Sequence, residues 1–170
     1  DGRRLVLGAP PDLDAVVITL IQPAEEGAAA LWSRDFLAAA AARLRPGGTL
    51  CLWLPAFQCD QALLEATVRT FLDVFPCALL LRAGHDPLTP ALGLIGSAEP
   101  FAVSDAALAE RLAALRARHP AVPDLASPSR LRLNLIGDLR GIAEQFADAA
   151  PITDDRPLPA FRAALPAWRG

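Results

Sequence analysis

Apolar positions along this chain switch between two periods. Asp14 to Ile21, DAVVITLI, is an almost unbroken apolar run rich in β-branched residues, and it predicts a short strand covered on both faces, ended by Pro23. Ser33 is placed to cap a helix over SRDFLAAAAARLR, with Asp35 in its first turn and Arg43 and Arg45 at its end before PGG. TLCLWLP, Thr49 to Pro55, reads as a second buried strand, so the unit is strand, helix, strand, of the length a right-handed parallel crossover needs. In DQALLEATVRTFLDVF, Leu63, Leu64, Val68, Phe71, Leu72 and Phe75 recur at helical spacing behind an Asp60 cap. CALLLRA and ALGLIGS follow as two short strands able to pair antiparallel across the turn-rich GHDPLTP. Ser104 opens a further helix with Leu108, Leu112 and Leu115 on one stripe. PAVPDLASPS reads as a loop, and IGDLRGIAEQFADAA as a last helix weakened by Gly141. Alternating strands and helices place the chain in the α/β class, with about four strands in a mostly parallel sheet.

Composition narrows this picture little. With 170 residues, 53% of them hydrophobic, the chain can bury an ordinary core. The net charge of −3, with no basic cluster, gives no support for a nucleic-acid surface. No apolar run is long enough to predict a membrane helix, and there is no signal peptide pattern at the start. Lacking a first Met, the chain reads as a fragment or a processed product. Cys51, Cys59 and Cys77 have neither CxxC spacing nor an even count, so they read as buried free thiols in a reducing compartment, not as a zinc site. His85 and His119 lie in polar, proline-flanked stretches without a neighbouring ligand and read as surface residues; no metal site is expected.

Five stretches then carry a resemblance. DGRRLVLGAPPDLDAVVITLIQP, LWSRDFLAAAAARLRPGGTLCLWLP, VRTFLDVFP, LIGSAEP and ITDDRP occur in the order found in spermidine synthase-like proteins. They resemble in particular the divergent bacterial branch whose members are often fused to membrane-transporter-like segments. The match runs over nearly the whole chain, yet only over the second half of that family's Rossmann-type, class I methyltransferase-like domain, without its glycine-rich first loop. Residues 1–170 are therefore expected to form a single partial domain. The resemblance implies a transferase of the aminopropyl type in polyamine biosynthesis. Its cofactor would be S-adenosylmethionine or the decarboxylated form, and its acceptor a small-molecule amine. It would act in the cytoplasm, or at the cytoplasmic face of the inner membrane in a fused protein. A truncated sheet would also leave an unpaired edge, which predicts homo-oligomers.

The resemblance assigns roles to residues as well. Asp1 and Gly2 stand where an Asp-Gly or Asp-Ala pair contacts the adenine: a carboxylate can accept from the exocyclic amine, and glycine lets the backbone come close. The next strand end in spermidine synthases carries Asp-x-x-Asp-Pro, whose acids bind the diamine, the first taking a proton from the attacking amine. Here the stretch is Thr19-Leu20-Ile21-Gln22-Pro23, so both carboxylates are gone. Thr19 is no base near neutral pH, and Gln22 hydrogen-bonds without bringing charge. Glu25 and Glu26 follow, either as substitutes or as a solvated pair. Trp53, in Leu52-Trp53-Leu54-Pro55, either lines a substrate pocket at the carboxyl edge of the sheet or fills core. Asp154 and Asp155, in TDDRP, read as substrate contacts or, preferably, as part of a clasp for the tail, with Thr153 and Asp154 bonding backbone amides and Arg156 pairing with a carboxylate. The relatives commonly have Asn where this chain has Ile152 and an acid at Ala160. Beside the aminopropyltransferase stand two alternatives: an S-adenosylmethionine-dependent methyltransferase, and a non-catalytic descendant that senses a ligand or binds a partner.

Overall fold

The computed structural model describes residues 2–19, 22–23, 25, 27–83, 88–102, 104–122 and 127–162. Helix α1 (Gly2–Gly8) precedes strand β1 (Leu13–Ile18). A 3-10 turn, Ala28–Leu31, then leads into α2 (Arg34–Ala41). Ser33 caps α2 by accepting the Phe36 N–H at 3.2 Å, as its position predicts. Strand β2 (Leu44–Pro55) starts earlier than the apolar run suggests, because Leu44 already pairs with Leu13. Asp60 caps α3 (Gln61–Val74), accepting the Leu63 N–H at 2.8 Å. The chain continues through β3 (Cys77–Ala83), β4 (Ala91–Ser97), α4 (Asp105–Arg118), α5 (Pro128–Arg132), β5 (Leu135–Asp138) and α6 (Leu158–Arg162).

The sheet has five strands in the order β1-β2-β4-β3-β5. β1 and β2 form the expected parallel crossover pair, and β3 and β4 the expected antiparallel pair. Two corrections follow. β4 also runs antiparallel between β2 and β3, and β5 antiparallel beside β3, so the sheet is mixed and not mostly parallel. The fifth strand comes from IGD, read above as a helix start: its backbone pairs with Leu79 and Leu80 of β3, and only a 3-10 helix, Leu139–Phe146, follows. Tertiary pairing has overridden the helical pattern there.

One face of the sheet is the core. Val16, Ile18, Leu50, Leu52, Leu54 and Leu94 lie under Phe36, Leu37 and Ala40 of α2 and Leu63, Val68 and Phe71 of α3. Gly96 makes this contact close, since a Cβ there would lie 2.4 Å from Phe75 Cγ and 2.7 Å from Phe71 Cε1. The opposite face is thinner. Cys51, Trp53, Leu79, Leu81 and Ile95 are half-buried and Val17 is 59% exposed, so β1 is covered on one face, not on both. The predicted stripe of α4 likewise buries only Leu112, while Leu115 is 42% exposed, because α4 packs mainly on the short α5. Among the described residues, no helix is long and apolar enough to cross a membrane.

Candidate functional site

Parallel strands bring their carboxyl ends to one edge, where open α/β sheets bind ligands. Ile18 pairs with Leu52, so Thr19, one residue beyond β1, stands level with Trp53 in register. Thr19 is exposed, and no hydrogen bond to its side chain exists among the described residues. Gln22 and Glu25, also exposed, are joined by a turn in which the Glu25 N–H donates to the Gln22 carbonyl at 3.0 Å. Glu26 lies outside the described residues. Trp53 resolves into something between its two readings: its indole is half-buried and lies across Gly93 of β4, where a Cβ would come within 2.8 Å of Trp53 Cζ3. Just past β2, Phe57 is 44% exposed on a 3-10 turn, an aromatic at this edge that strand-end patterning passed over.

The three thiols add no nucleophile. Burial pushes Cys51 up to about 11, and burial together with Asp60 pushes Cys59 up to about 12, so both are protonated near neutral pH. Cys77 is buried and likewise free. His119 sits exposed at the end of α4, and His85 lies outside the described residues. No cluster of three or more His, Cys, Asp or Glu suited to a metal exists among the described residues.

The acids of TDDRP do not join this edge through any hydrogen bond among the described residues. Asp154 instead ties three parts of the chain together. Arg3 of α1 forks onto its carboxylate, through Nη1 to Oδ1 at 2.9 Å and through Nη2 to Oδ2. The Ser33 hydroxyl donates to Oδ1 at 2.5 Å, and the Asp154 N–H donates to Asp35 Oδ2 at 2.9 Å. The Arg3 guanidinium, against the opposing effect of partial burial and with help from Ser33, holds the Asp154 carboxyl below its usual range. It also lies 5.8 Å over the Phe36 ring. Ile152, fully buried, donates its N–H to Thr70 Oγ1 of α3 and accepts the Arg34 N–H of α2, both at 2.8 Å. Thr153 and Arg156 close the turn through their backbones. Among the described residues the Thr153 and Asp154 side chains do not bond backbone amides as expected, but the geometry is that of a clasp, with Arg3 as its main counter-ion. Arg156, the expected one, is exposed and makes no ion pair among the described residues, and Asp155 is exposed too. Arg3 carries a signal that could have been followed: it adjoins the Asp1-Gly2 pair singled out by resemblance.

For the cofactor, Asp1 lies outside the described residues, while Gly2 opens α1 exposed, with nothing within 4 Å of a Cβ placed there.

No family model matches the sequence, and no curated protein matches it significantly. Ten solved chains match in structure, among them the crystal structure of a probable spermidine synthase from Corynebacterium glutamicum ATCC 13032. That match has 16% sequence identity and a TM-score of 0.50, and covers 91% of this chain and 52% of the other. The chain thus spans about half the length of the solved structure it resembles. Its mixed sheet with flanking helices is a spermidine synthase-like, Rossmann-like α/β fold.

Proposed function

We propose that this chain is part of a spermidine synthase-like domain that does not transfer aminopropyl groups. The carboxyl edge of β1 and β2 instead serves as a binding surface for a neutral, flat ligand. One observation carries the reading: the β1 end presents Thr19, whose hydroxyl can donate and accept but cannot hold an alkylammonium or take its proton. Gln22 adds a neutral amide, and Trp53 and Phe57 add aromatic surface. Glu25 is solvated, and Asp154 is engaged by Arg3 and Ser33, so neither supplies a poised base.

Adenosine serves as the neutral flat probe. Titrated against the intact chain, it should change the fluorescence of Trp53, and Trp53→Phe should abolish that change. Putrescine should bind weakly or not at all, and decarboxylated S-adenosylmethionine with putrescine should yield no spermidine. Spermidine formation that is lost in Glu25→Gln would overturn the proposal and return the chain to the aminopropyltransferases.

A further inference from the structure

Among its described residues, the segment between β1 and α2, which carries Gln22 and Glu25, contains no strand and no α-helix, so something other than a ladder must fix them. Its backbone is a relay of short turns: Glu25 N–H to the Gln22 carbonyl at 3.0 Å, Ala28 N–H to Glu25 at 3.0 Å, and Trp32 N–H to Ala29 at 3.1 Å. Its far end is gripped at one atom. The Ala30 carbonyl accepts from Arg3 Nη1 at 3.1 Å, and the second N–H of the same nitrogen goes to Asp154 Oδ1 at 2.9 Å. The Ser33 hydroxyl also lies 3.1 Å from the Ala30 carbonyl, but its single proton goes to Asp154 Oδ1 at 2.5 Å. The carboxylate therefore orients the guanidinium that holds the segment, while the Asp154 backbone is fixed by its N–H to Asp35 and by the buried Ile152 beside it.

We infer that Asp154 and Arg3 are positioning residues for the binding edge: through the Ala30 carbonyl they fix the β1–α2 segment, and with it Gln22 and Glu25. The inference rests on reading that edge as the binding site. It differs from a plain clasp in where it places the effect. A clasp secures the tail to the core, whereas a positioning pair secures a segment of which neither residue is a part. Asp154→Asn keeps the shape of the side chain and removes the charge that Arg3 and Ser33 share.

Hydrogen exchange on the intact chain, with no ligand present, separates the two. In Asp154→Asn and Arg3→Gln, the amides of Glu25, Ala28 and Trp32 should exchange about tenfold faster. Amides of α3 from Leu63 to Phe71 should change no more than in Thr70→Val, which cuts the tail's bond to α3 and spares the Asp154–Arg3 pair. The double variant should match the single ones within about twofold, since the pair acts as a unit. Unchanged exchange in the segment, equal acceleration of segment and α3, or effects that multiply in the double variant would each overturn the inference. Should Asp154→Asn fail to fold, Arg3→Gln alone decides by the same comparison. Failure of adenosine to bind would refute the ligand reading and leave the exchange result standing.

Discussion

Gly93 and Gly96 lie three residues apart on β4 and face opposite sides of the sheet, so a single substitution, glycine to alanine, probes both faces. At Gly96 the new methyl would sit 2.4 Å from Phe75 Cγ, 2.6 Å from Phe75 Cβ and 2.7 Å from Phe71 Cε1. These rings are 2% and 0% exposed, so neither can retreat without moving α3 off the sheet. At Gly93 the three atoms nearest the methyl all belong to the Trp53 ring, at 2.8 to 3.0 Å, and a half-buried indole can swing outward. Overpacking a closed core costs about 1–3 kcal/mol, and losing glycine's freedom in the unfolded chain returns about 0.4–1 kcal/mol. Contacts as short as 2.4 Å with two sealed rings put Gly96→Ala at the upper end of that cost, a net destabilisation of about 2 kcal/mol, and Gly93→Ala should cost less than about 1 kcal/mol. In a chain of this size that is about 4–8 °C against less than about 4 °C in midpoint. Urea unfolding followed by circular dichroism measures the costs. Emission in a Trp168→Phe background reports the ring, because Trp32 is fully buried and gives a constant contribution. Gly93→Ala should shift Trp53 emission to the red, and Gly96→Ala should not. Equal costs at the two glycines, or a Trp53 spectrum indifferent to Gly93→Ala, would refute the assignment of one sealed and one open face.

Acid should loosen the clasp. Asp154 is held low in the folded state, so its contribution is complete above the ordinary carboxylate value of about 3.9 and is lost as pH falls through the folded value. Stability measured from about pH 5 downward should fall more steeply in the wild type than in Asp154→Asn, and parallel curves would contradict it. Thr19→Asp, at an exposed position, should change stability by less than about 0.5 kcal/mol while giving the edge measurable affinity for putrescine by calorimetry. No gain would mean that this strand end is not the binding edge. Cys51 and Cys59, pushed up to about 11 and about 12, should react with iodoacetamide at pH 8 more than about a hundredfold slower than a free thiol, and rapidly in urea. Fast labelling of the folded chain would show the thiols to be open.

Local rules made the parallel pair and three helix starts legible. Ser33, Asp60 and Ser104 each cap where their spacing to the following apolar residues places them, because a cap is a bond between near neighbours. What the sequence hid was set at a distance. Ile136 to Asp138 looks helical until β3 offers it a pairing edge, and Leu108 and Leu115 look like core until α4 is found to have little to pack against. The clasp shows both sides of this. A turn at Thr153 to Pro157 was readable, but it closes through the Thr153 and Arg156 backbones and not through side-chain bonds to amides, its counter-ion stands 151 residues away, and the nearer Arg156 was the natural guess. At the proposed binding edge, Thr19 and Gln22 came from the resemblance to Asp-x-x-Asp-Pro, not from the strand pattern, which placed Thr19 within a strand to Ile21, while Phe57 escaped because nothing in Ala56-Phe57-Gln58 announces an exposed ring.

Two kinds of motif coexist in this chain, and physics gives them different tolerances. Removing the carboxylate of Asp154 would loosen Arg3, Ser33 and the Ala30 carbonyl together, so the clasp resists change as part of the fold. An acid at the end of β1 has no such dependants: Thr19 is exposed and unbonded among the described residues, and exchanging one polar residue for another there costs the fold almost nothing. Chemistry can therefore be lost at the strand end while the clasp persists. Likeness carried by the clasp, by the capped helices and by the sheet order reports the architecture. On the reading proposed above, activity is to be tested at Thr19, Gln22 and Trp53, whose side chains offer hydrogen bonds and an indole face.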